Sequence, residues 1–300
     1  MSAIMCTRNR PDSVGAAVAS VLANDYPDFT LTIVDQSTDD RTGEIVRSME
    51  ARPGQVRYIH SSVPGLSRAY NLAIRETDGE ILAFTDDDCI APTDWITTIV
   101  AAFESEPDAD LLYGQVLEPE ALRGHDGIVP QLHISRPERL DRRDGFRIYG
   151  MGANFGARRR LFDKIHGFDE ILGGGGPLRS SQDFDLQYRA YLAGVTTLLR
   201  PEVKVDHYGI RSKAQWPAQV EAYAFGDGAF YCKHVRCGDF RAISLLIGWI
   251  GRPIAREILS RLQLRKRPSS LDYLKSFLDG MRGSLAFPVD REQRLYLGRS

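Results

Sequence analysis

Short apolar runs alternate with amphipathic stretches along the first part of the chain. The apolar runs predict strands at residues 3–7, 29–35, 55–60, 79–86 and 110–116. The stretches between them have apolar side chains at helical spacing and predict helices at residues 10–25, 38–51, 65–77 and 92–105. Successive β-α-β crossovers of this kind predict an α/β fold of Rossmann-like type, with a mainly parallel sheet flanked by helices.

The pattern becomes less regular after residue 117. Residues 118–146 are rich in Pro, Arg, Asp and Gly and predict a long loop. Residues 149–170 predict a strand that leads into a short basic helix, and the glycine run 173–176 excludes helix there. The next predicted helix covers residues 180–194, with a serine at its start as a cap.

The last part of the chain is predicted to be mostly helical. Residues 195–209 predict one or two strands, and helical spacing dominates from Lys213 onward. The sequence therefore predicts a sheet-containing domain at 1–212 and a helical extension at 213–300.

Charge separates these two parts although the net charge of the 300 residues is only −2. Residues 1–232 contain 24 Lys and Arg against 34 Asp and Glu, whereas residues 233–300 contain 14 against 6. The longest apolar run is ten residues, far short of the roughly 20 that a membrane-spanning helix needs. A secretory signal is not evident at the N-terminus, so we expect a cytoplasmic protein. The acidic body makes nucleic acid an unfavourable partner.

Three adjacent carboxylates, Asp86, Asp87 and Asp88, directly follow the apolar strand at 79–86. Ligands bind at the carboxyl ends of strands in open α/β sheets, and adjacent carboxylates repel one another unless a cation neutralises them. In an extended segment Asp86 and Asp88 point to one side, so they can share Mg²⁺ or Mn²⁺ while Asp87 points away. The alternative is a solvated acidic turn that precedes the next helix.

Six segments together resemble a known family. They are CTRNRP (6–11), IVDQSTDD (33–40), PGLSRAYNLAI (64–74), GEILAFTDDDCIAPTDWI (79–96), GANFGARRRLFDKIHGFDE (152–170) and SQDFDLQYRAYLAG (181–194). In this order they resemble the inverting family 2 glycosyltransferases of the GT-A fold, from Ala3 to about His207. The resemblance implies a GT-A domain that binds a nucleoside-diphosphate sugar.

The resemblance also implies roles for individual residues. The residues that it places at the nucleotide are Thr7, Asn9, Arg10, Asp35, Arg68, Asn71, Asp86 and Asp87. A strand-end carboxylate such as Asp35 can bind a base N–H or a ribose hydroxyl, although it can instead cap the next helix. The implied metal ligands are Asp86, Asp88 and His207, with Asp206 as a rival to the histidine.

The implied catalytic base is Asp183, in the first turn of the predicted helix at 180–194. A carboxylate there can face a cleft and accept a proton, although it can also simply stabilise the helix N-terminus. The usual Glu-Asp pair of the family is Gln182-Asp183 in this chain, which removes one negative charge.

These residues predict transfer of a sugar from a nucleoside-diphosphate sugar to a hydroxyl of a glycan, a polysaccharide or a lipid-linked acceptor, with Mn²⁺ or Mg²⁺ as cofactor. The alternative is a non-catalytic nucleotide-sugar-binding or scaffold protein of the same fold, which the Gln182 departure keeps open. A nucleotidyltransferase is less well supported, because a glycine-rich pyrophosphate loop is not evident near the N-terminus.

The basic extension offers two interpretations. Residues 243–267 combine apolar turns with six Arg and Lys side chains, which suits an amphipathic helix on an anionic membrane surface. Such a helix would place the protein peripherally at the inner face of the cell membrane. The alternative is a helical cap whose basic side chains are solvated.

Overall fold

A computed structural model describes residues 1–247 and 269–298. The strands are β1 (Ser2–Thr7), β2 (Thr30–Asp35), β3 (Val56–His60), β4 (Ile81–Asp86), β5 (Cys89–Ile90), β6 (Ala109–Leu117), β7 (Gly127–Ile128), β8 (Glu138–Leu140), β9 (Asn154–Arg158), β10 (Thr196–His207), β11 (Arg211–Ser212), β12 (Val289–Asp290) and β13 (Leu295–Tyr296). The helices with defined bounds are α1 (Pro11–Leu22), α2 (Arg41–Arg47), α3 (Leu66–Arg75), α4 (Trp95–Ser105), α5 (Arg159–Ile165), α6 (Gln182–Leu192), α7 (Trp216–Arg236) and α8 (Ser269–Ser284).

The central sheet has the order β3-β2-β1-β4-β9-β6-β10-β5, and β8 also pairs with β10. Strands β3, β2, β1 and β4 run parallel, as do β6 and β10. Strand β9 lies between these two groups and is antiparallel to both β4 and β6. The predicted α/β class is confirmed, with a mixed sheet in which β9 joins two parallel groups.

Side chains alternate between the two faces of this sheet, so each strand contributes to two cores. In β1, Ala3 and Met5 pack with α1 and α4, whereas Ile4 and Cys6 pack with α3, α5 and α6. Strands that are buried on both faces show apolar runs rather than strict alternation, which explains the pattern in the sequence.

Two predicted segments differ from the structure. Helix α2 ends at Arg47 rather than at residue 51, and the chain then turns through Pro53 and Gly54 toward β3. Pro53 disfavours helical backbone at Arg52 and so prevents the helix from continuing to β3, but the end of α2 at Arg47 itself has no explanation in the structure. The segment 118–146, predicted as loop, contains β8, which extends the sheet beside β10. Three residues are too few to give a periodic signal.

Helices α7 and α8 form a layer against α6. Their backbones touch where Gly228 of α7 meets Phe277 of α8, and a Cβ at this glycine would overlap the Phe277 carbonyl. Tyr188 of α6 packs against Phe230 of α7 within the same buried cluster. The division of the chain at 212 and 213 stays a prediction.

The predicted basic helix at 243–267 lies mostly outside the described residues. Residues 240–247 are helical, and residues 248–268 are not described. Within 1–247 and 269–298, the structure has no helix with the length and apolar composition to span a bilayer.

Candidate active site

Three predicted site residues end neighbouring parallel strands. In the register of β1, Thr7 lies beside Asp35 of β2, and Cys6 lies beside Asp86 of β4. The carboxyl ends of parallel strands meet at one edge of a sheet, which is the usual ligand site of an open α/β fold. The structure therefore brings the predicted nucleotide and metal residues of these strands to a single edge.

The three adjacent carboxylates contact different partners. The Thr7 hydroxyl donates to Asp87 at 2.6 Å, and the Arg10 guanidinium donates to Asp88 at 2.9 Å. The Tyr70 hydroxyl donates to Asp86 over a longer distance of 3.3 Å. Asp87 thus points toward the end of β1 instead of lying free in solvent.

Burial and mutual repulsion set the protonation of these carboxylates. Burial, together with the charges of Asp87 and Asp88, raises the pKa of Asp86 to about 7. Burial also raises the pKa of Asp87 to about 6. Burial acts in the same direction on Asp88, but its contacts with His207 and Arg10 outweigh this effect and lower its pKa to about 2. Residues 86–88, the carboxylate run, therefore have more negative charge than the positive groups of the protein neutralise.

One group of potential metal ligands is found in the described part of the chain. It consists of Asp88, Cys89 and His207, whose ligand atoms lie within 4.8 Å of one another and are all buried. The antiparallel pairing of β5 with β10 places His207 opposite Cys89. His207 Nδ1 donates to the Pro130 carbonyl at 2.8 Å, and Nε2 lies 3.3 Å from Asp88. Burial lowers the pKa of His207, but its contacts with Asp88 outweigh this effect and raise it, so a proton on Nε2 satisfies the pair when no metal ion is bound.

The carboxylate of Asp88 and the imidazole of His207 in this group fit a divalent cation. A lone pair that faces a carboxylate is unfavourable unless a proton or a metal ion lies between them, and a second-shell carbonyl on the far nitrogen is typical of metal-bound histidine. A Cβ on Gly209 would lie 2.5 Å from His207 Nε2 and 2.6 Å from an Asp88 oxygen. A side chain at position 209 would therefore occupy the space beside these two ligands, and only glycine leaves it open.

Two other predicted ligands lie outside this group. One oxygen of Asp86 accepts the Tyr70 hydroxyl, and contact of Asp86 with a metal ion stays a prediction. Asp206, the rival of His207, is exposed. It precedes His207 in β10 and therefore points to the opposite face of the sheet. The structure thus brings Asp88 and His207 together and leaves Asp206 apart from them.

Asp183 lies in the first turn of α6, close to the carboxylate run. One carboxylate oxygen accepts the N–H of Gly152 at 3.3 Å, and the other accepts the N–H of Phe184 at 3.0 Å. Gly152 is two residues before Asn154, which pairs with Thr85 immediately ahead of Asp86. Burial raises the pKa of Asp183 despite these two hydrogen bonds, which makes it a better proton acceptor than an ordinary aspartate.

Asp35 is fully buried and its oxygens already have partners. The Ser37 N–H donates to one oxygen at 2.8 Å, and the Tyr58 hydroxyl donates to the other at 2.8 Å. Ser37 in turn accepts the N–H of Asn9, whose side chain accepts the N–H of Thr38 at 2.9 Å. Asp35 and Asn9 thus shape the loops at the strand ends, and direct contact of either with a nucleotide stays a prediction.

Arg68 and Asn71 lie on α3 beside a separate pocket of about 520 Å³. Asn71 exchanges hydrogen bonds with the backbone of Phe168, and Arg68 lies 3.8 Å from Glu170. These contacts hold α3 against the segment that follows α5. Contact of either side chain with a nucleotide stays a prediction.

Sequence comparison assigns the family. The profile of glycosyl transferase family 2 matches residues 2–166, a little over half of the chain. The chain belongs to glycosyl transferase family 2. The matched segment contains the carboxylate run and the strand ends, whereas Asp183 and His207 lie beyond it.

Relatives of this family 2 glycosyltransferase support the same assignment. A glucosyl-dolichyl phosphate glucuronosyltransferase of Haloferax volcanii is 24% identical over 230 residues, which cover 72% of each chain. S. aureus TarS 1–349 in complex with UDP-GlcNAc has a TM-score of 0.66 at 17% identity, over 98% of this chain and 83% of that one. The chain spans 38% of a longer TarS structure.

A third solved structure has the same fold. The mannosyltransferase PcManGT from Pyrobaculum calidifontis, in complex with GDP-Man and Mn²⁺, has a TM-score of 0.60 at 16% identity, over 95% of this chain and 85% of that one. The predicted GT-A fold of this family 2 member is thereby confirmed.

Some features of this family 2 site were not predicted. Neither Cys89, which belongs to the metal group, nor Gly209, which lies beside it, was predicted, although both lie within two residues of predicted ligands. The contact of the Arg10 side chain with Asp88 was also not predicted, and contact of Arg10 with a nucleotide stays a prediction. The hydrogen bond from Thr7 to Asp87 joins the end of β1 to the segment that follows β4, and it has no local signature in the sequence.

Proposed function

We propose that this chain is an inverting glycosyltransferase in which Asp183 takes the proton of the acceptor hydroxyl. The observation that supports this is the placement of Asp183 beside Gly152, just past the end of β4 where the carboxylate run begins. A base and a site for an anionic leaving group are thus adjacent. That arrangement suits displacement at an anomeric carbon from the face opposite the diphosphate.

The reaction balances as a single displacement. The acceptor hydroxyl gives its proton to Asp183, and its oxygen forms a bond to the anomeric carbon. The bond from that carbon to the diphosphate oxygen breaks, and the nucleoside diphosphate leaves with the electron pair. A divalent cation held by Asp88 and His207 would supply Lewis-acid stabilisation of the departing diphosphate. Arg10 holds Asp88 in place through its hydrogen bond.

The base can act without a neighbouring carboxylate. Gln182 is uncharged, so the environment of Asp183 depends on burial and on the Gly152 and Phe184 amides. Burial keeps the pKa of Asp183 above its ordinary value, which favours proton acceptance in the transition state. The Gln182 departure from the family pattern is therefore compatible with turnover.

The test measures sugar transfer with Mn²⁺, using UDP- and GDP-linked donors and a panel of glycan and lipid-linked acceptors. We expect Asp183→Asn to reduce kcat by about 100-fold or more, which corresponds to loss of a general base. Binding of the free nucleoside diphosphate should change by less than twofold. Asp78→Asn, at an exposed position before the start of β4 and away from the carboxyl ends of the strands, is the matched control and should retain full activity.

Two outcomes would contradict this proposal. Full activity of Asp183→Asn would show that another group takes the proton. Binding of a nucleotide by the wild-type protein without transfer or donor hydrolysis, over the whole panel, would support the non-catalytic alternative. Product anomers read by NMR decide between inversion and retention.

We further propose a lipid-linked acceptor and peripheral contact with the inner face of an anionic membrane. The Haloferax relative is named for a dolichyl phosphate substrate. In the helical segment 240–247, Phe240 is 84% exposed and Ile247 is 67% exposed, and Arg241 lies beside them. Residues seven apart share one face of a helix, so this face combines apolar and basic side chains just before the basic stretch 248–268.

Vesicle sedimentation tests the membrane proposal with the full chain. We expect binding to vesicles that contain anionic lipid and much weaker binding to neutral vesicles. Each basic side chain near an anionic surface contributes about 1 kcal/mol of binding free energy, which a neutral surface does not provide. Phe240→Ser with Ile247→Ser should reduce binding at least fivefold. Leu285→Ser, at another exposed apolar position, is the control. Equal binding of the double variant and the wild type would contradict the proposal.

A further inference from the structure

A chain of hydrogen bonds connects the two C-terminal helices to the start of α6. The Ser181 hydroxyl donates to one oxygen of Asp227 at 2.7 Å, and the Tyr273 hydroxyl donates to the other at 2.5 Å. Ser181 directly precedes α6, Asp227 lies in the middle of α7, and Tyr273 lies on α8. Ser181 and Asp227 are both buried. One carboxylate therefore joins three helices at the end of α6 that contains Asp183.

This connection changes how the first turn of α6 is capped. A serine at this position normally accepts a hydrogen bond from a backbone N–H of the first turn, but the Ser181 side chain makes no such bond. The Phe184 N–H is accepted instead by Asp183. The Ser181 hydroxyl is directed to Asp227, and the carboxylate of Asp183 is the partner of the first-turn amide. This hydrogen bond and the one from Gly152 orient the Asp183 carboxylate.

The backbone around Ser181 is also held in an unusual conformation. Ser181 has φ 69° and ψ 17°, in the left-handed region that non-glycine residues seldom adopt. Helix α7 lies directly against this turn, and a Cβ on Gly226 would approach the Ser180 backbone to 2.7 Å and the Ser181 oxygen to 2.8 Å. Such a conformation persists only when its surroundings impose it, and α7 supplies both the contact and the hydrogen bond.

We propose that Asp227 is a positioning residue that, through Ser181, aims Asp183 into the cleft, so that α7 and α8 set the geometry of the base. This inference rests on the proposed function, in which Asp183 accepts the acceptor proton. Asp227 itself does not reach the reacting atoms. It acts by holding the turn from which α6 begins.

The electrostatics of Asp227 agree with this role. Burial raises the pKa of Asp227 to about 6, and the two hydroxyl donors oppose that shift. The negative charge of Asp183 contributes to the increase in the pKa of Asp227, as expected for two carboxylates that lie near each other. Donation from both Ser181 and Tyr273 requires an acceptor on each oxygen of the Asp227 side chain, which the carboxylate provides.

Steady-state transfer kinetics with Mn²⁺ and the active donor test the inference. We expect Asp227→Ala and Ser181→Ala each to lower kcat at least tenfold while the donor KM stays within twofold of the wild type. The double variant should be no worse than either single variant, because both remove the same connection. Asp227→Asn keeps one acceptor oxygen and should recover part of kcat.

Hydrogen exchange supplies a readout that does not depend on activity. Amides of the peptide that spans residues 178–186 should exchange faster in Ser181→Ala and Asp227→Asn than in the wild type, whereas the rest of α6 should change little. The matched control is Asp279→Asn, at an exposed position on α8, which should alter neither kcat nor exchange. If Asp227→Ala does not fold, the serine and asparagine variants still decide the question.

Two results separate failure of this inference from failure of the proposed function. If Asp183→Asn abolishes transfer but Ser181→Ala and Asp227→Asn retain kcat within twofold and show unchanged exchange, the positioning role is wrong and the base assignment survives. If Asp183→Asn is fully active, the base assignment is wrong whatever Asp227 does. A parallel loss of kcat and nucleotide binding in the Asp227 variants would indicate general disruption and would also overturn the inference.

Discussion

Two groups of carboxylates in the described part of the chain differ in their partners. In the run 86–88, three carboxylates face one guanidinium, that of Arg10, and one imidazole, that of His207. In the second group, the carboxylates of Asp169 and Asp185 are matched by the ammonium of Lys233 and the guanidinium of Arg189. The relevant distances are 2.6 Å from Lys233 to each carboxylate and 2.8 Å from Arg189 to Asp185.

The comparison shows how charge balance distinguishes a ligand site from a structural one. Burial would raise the pKa of Asp185, but Lys233 and Arg189 outweigh it and hold that pKa far below the ordinary value. Burial raises the pKa of Asp86 and Asp87 with too little positive charge nearby to reverse it. Excess negative charge at a strand-end edge requires an external cation or proton, whereas a neutral buried cluster requires nothing further.

Loss of Lys233 should have the largest effect on stability. Lys233→Met keeps the length of the side chain but leaves Asp169 and Asp185 buried with one cation fewer. Removing one partner of a buried ion pair costs about 3–5 kcal/mol, and the Asp169 carboxylate also accepts the Tyr296 N–H. Urea unfolding followed by circular dichroism measures this loss.

The exposed Lys275 of α8 provides the control for that measurement. Lys275→Met should change the free energy of unfolding by less than about 0.5 kcal/mol. If Lys233→Met is as stable as this control, the second group is not a structural ion cluster, and its contrast with the carboxylate run disappears.

Loss of Asp88 should reduce activity strongly and stability only slightly, in contrast to loss of Lys233. Asp88→Asn removes one charge from a repelling run and one ligand from the group with Cys89 and His207. We expect transfer activity to fall by about 100-fold or more, as for loss of a principal electrostatic contribution, while stability in EDTA changes by less than about 1 kcal/mol. Mn²⁺ should raise the Tm of the wild type and have little effect on the Tm of the variant.

Asp78→Asn serves again as the exposed control for Asp88→Asn. A variant at position 88 that keeps both its activity and its stabilisation by Mn²⁺ would contradict the assignment of this residue. A variant that loses several kcal/mol of stability in EDTA would show that the carboxylate run also stabilises the fold, which would contradict its contrast with the second group.

The difference between the two groups also explains what the sequence could predict. The carboxylate run is contiguous and follows an apolar strand, so Asp86, Asp87 and Asp88 are visible as a local motif. Parallel pairing then predicts that Thr7 and Asp35 lie at the same edge. These inferences need only neighbouring residues and one general rule about sheets.

The second group has no local signature. Asp185 and Lys233 are 48 positions apart, and each lies on a helix whose pattern predicts only which face is buried. The same holds for Ser181 and Asp227, which meet because α7 packs on the start of α6. The sequence also did not predict that β9 runs antiparallel to its neighbours, since the alternation of side chains along a strand is the same in parallel and antiparallel pairs. These contacts join elements that are distant in the sequence, so only the structure shows them.

The last prediction concerns pH and His234, which donates to Asp185 at 2.9 Å from a buried position. Burial lowers the pKa of His234 to about 4, against about 6.5 in an unfolded chain. Between these values the unfolded state binds a proton that the folded state does not, so stability falls as the pH falls through this window. The loss attributable to His234 should reach at most about 3 kcal/mol.

The measurement compares urea unfolding at pH 7 and at pH 4.5 for the wild type, His234→Asn and the exposed control His125→Asn. Titrating groups that do not contact His234, including Asp227 with its raised pKa and opposite sign, contribute equally to all three proteins and cancel in the difference. Asp185 contacts His234, but Lys233 and Arg189 hold its pKa far below the ordinary value, so it stays ionised in the folded protein over this pH range. His234→Asn should therefore lose less stability on acidification than the wild type, although it starts from a lower value at pH 7. Identical acid losses in all three proteins would mean that His234 is accessible to protons when folded. The second group would then resemble the carboxylate run, which can bind a proton or a cation from solution.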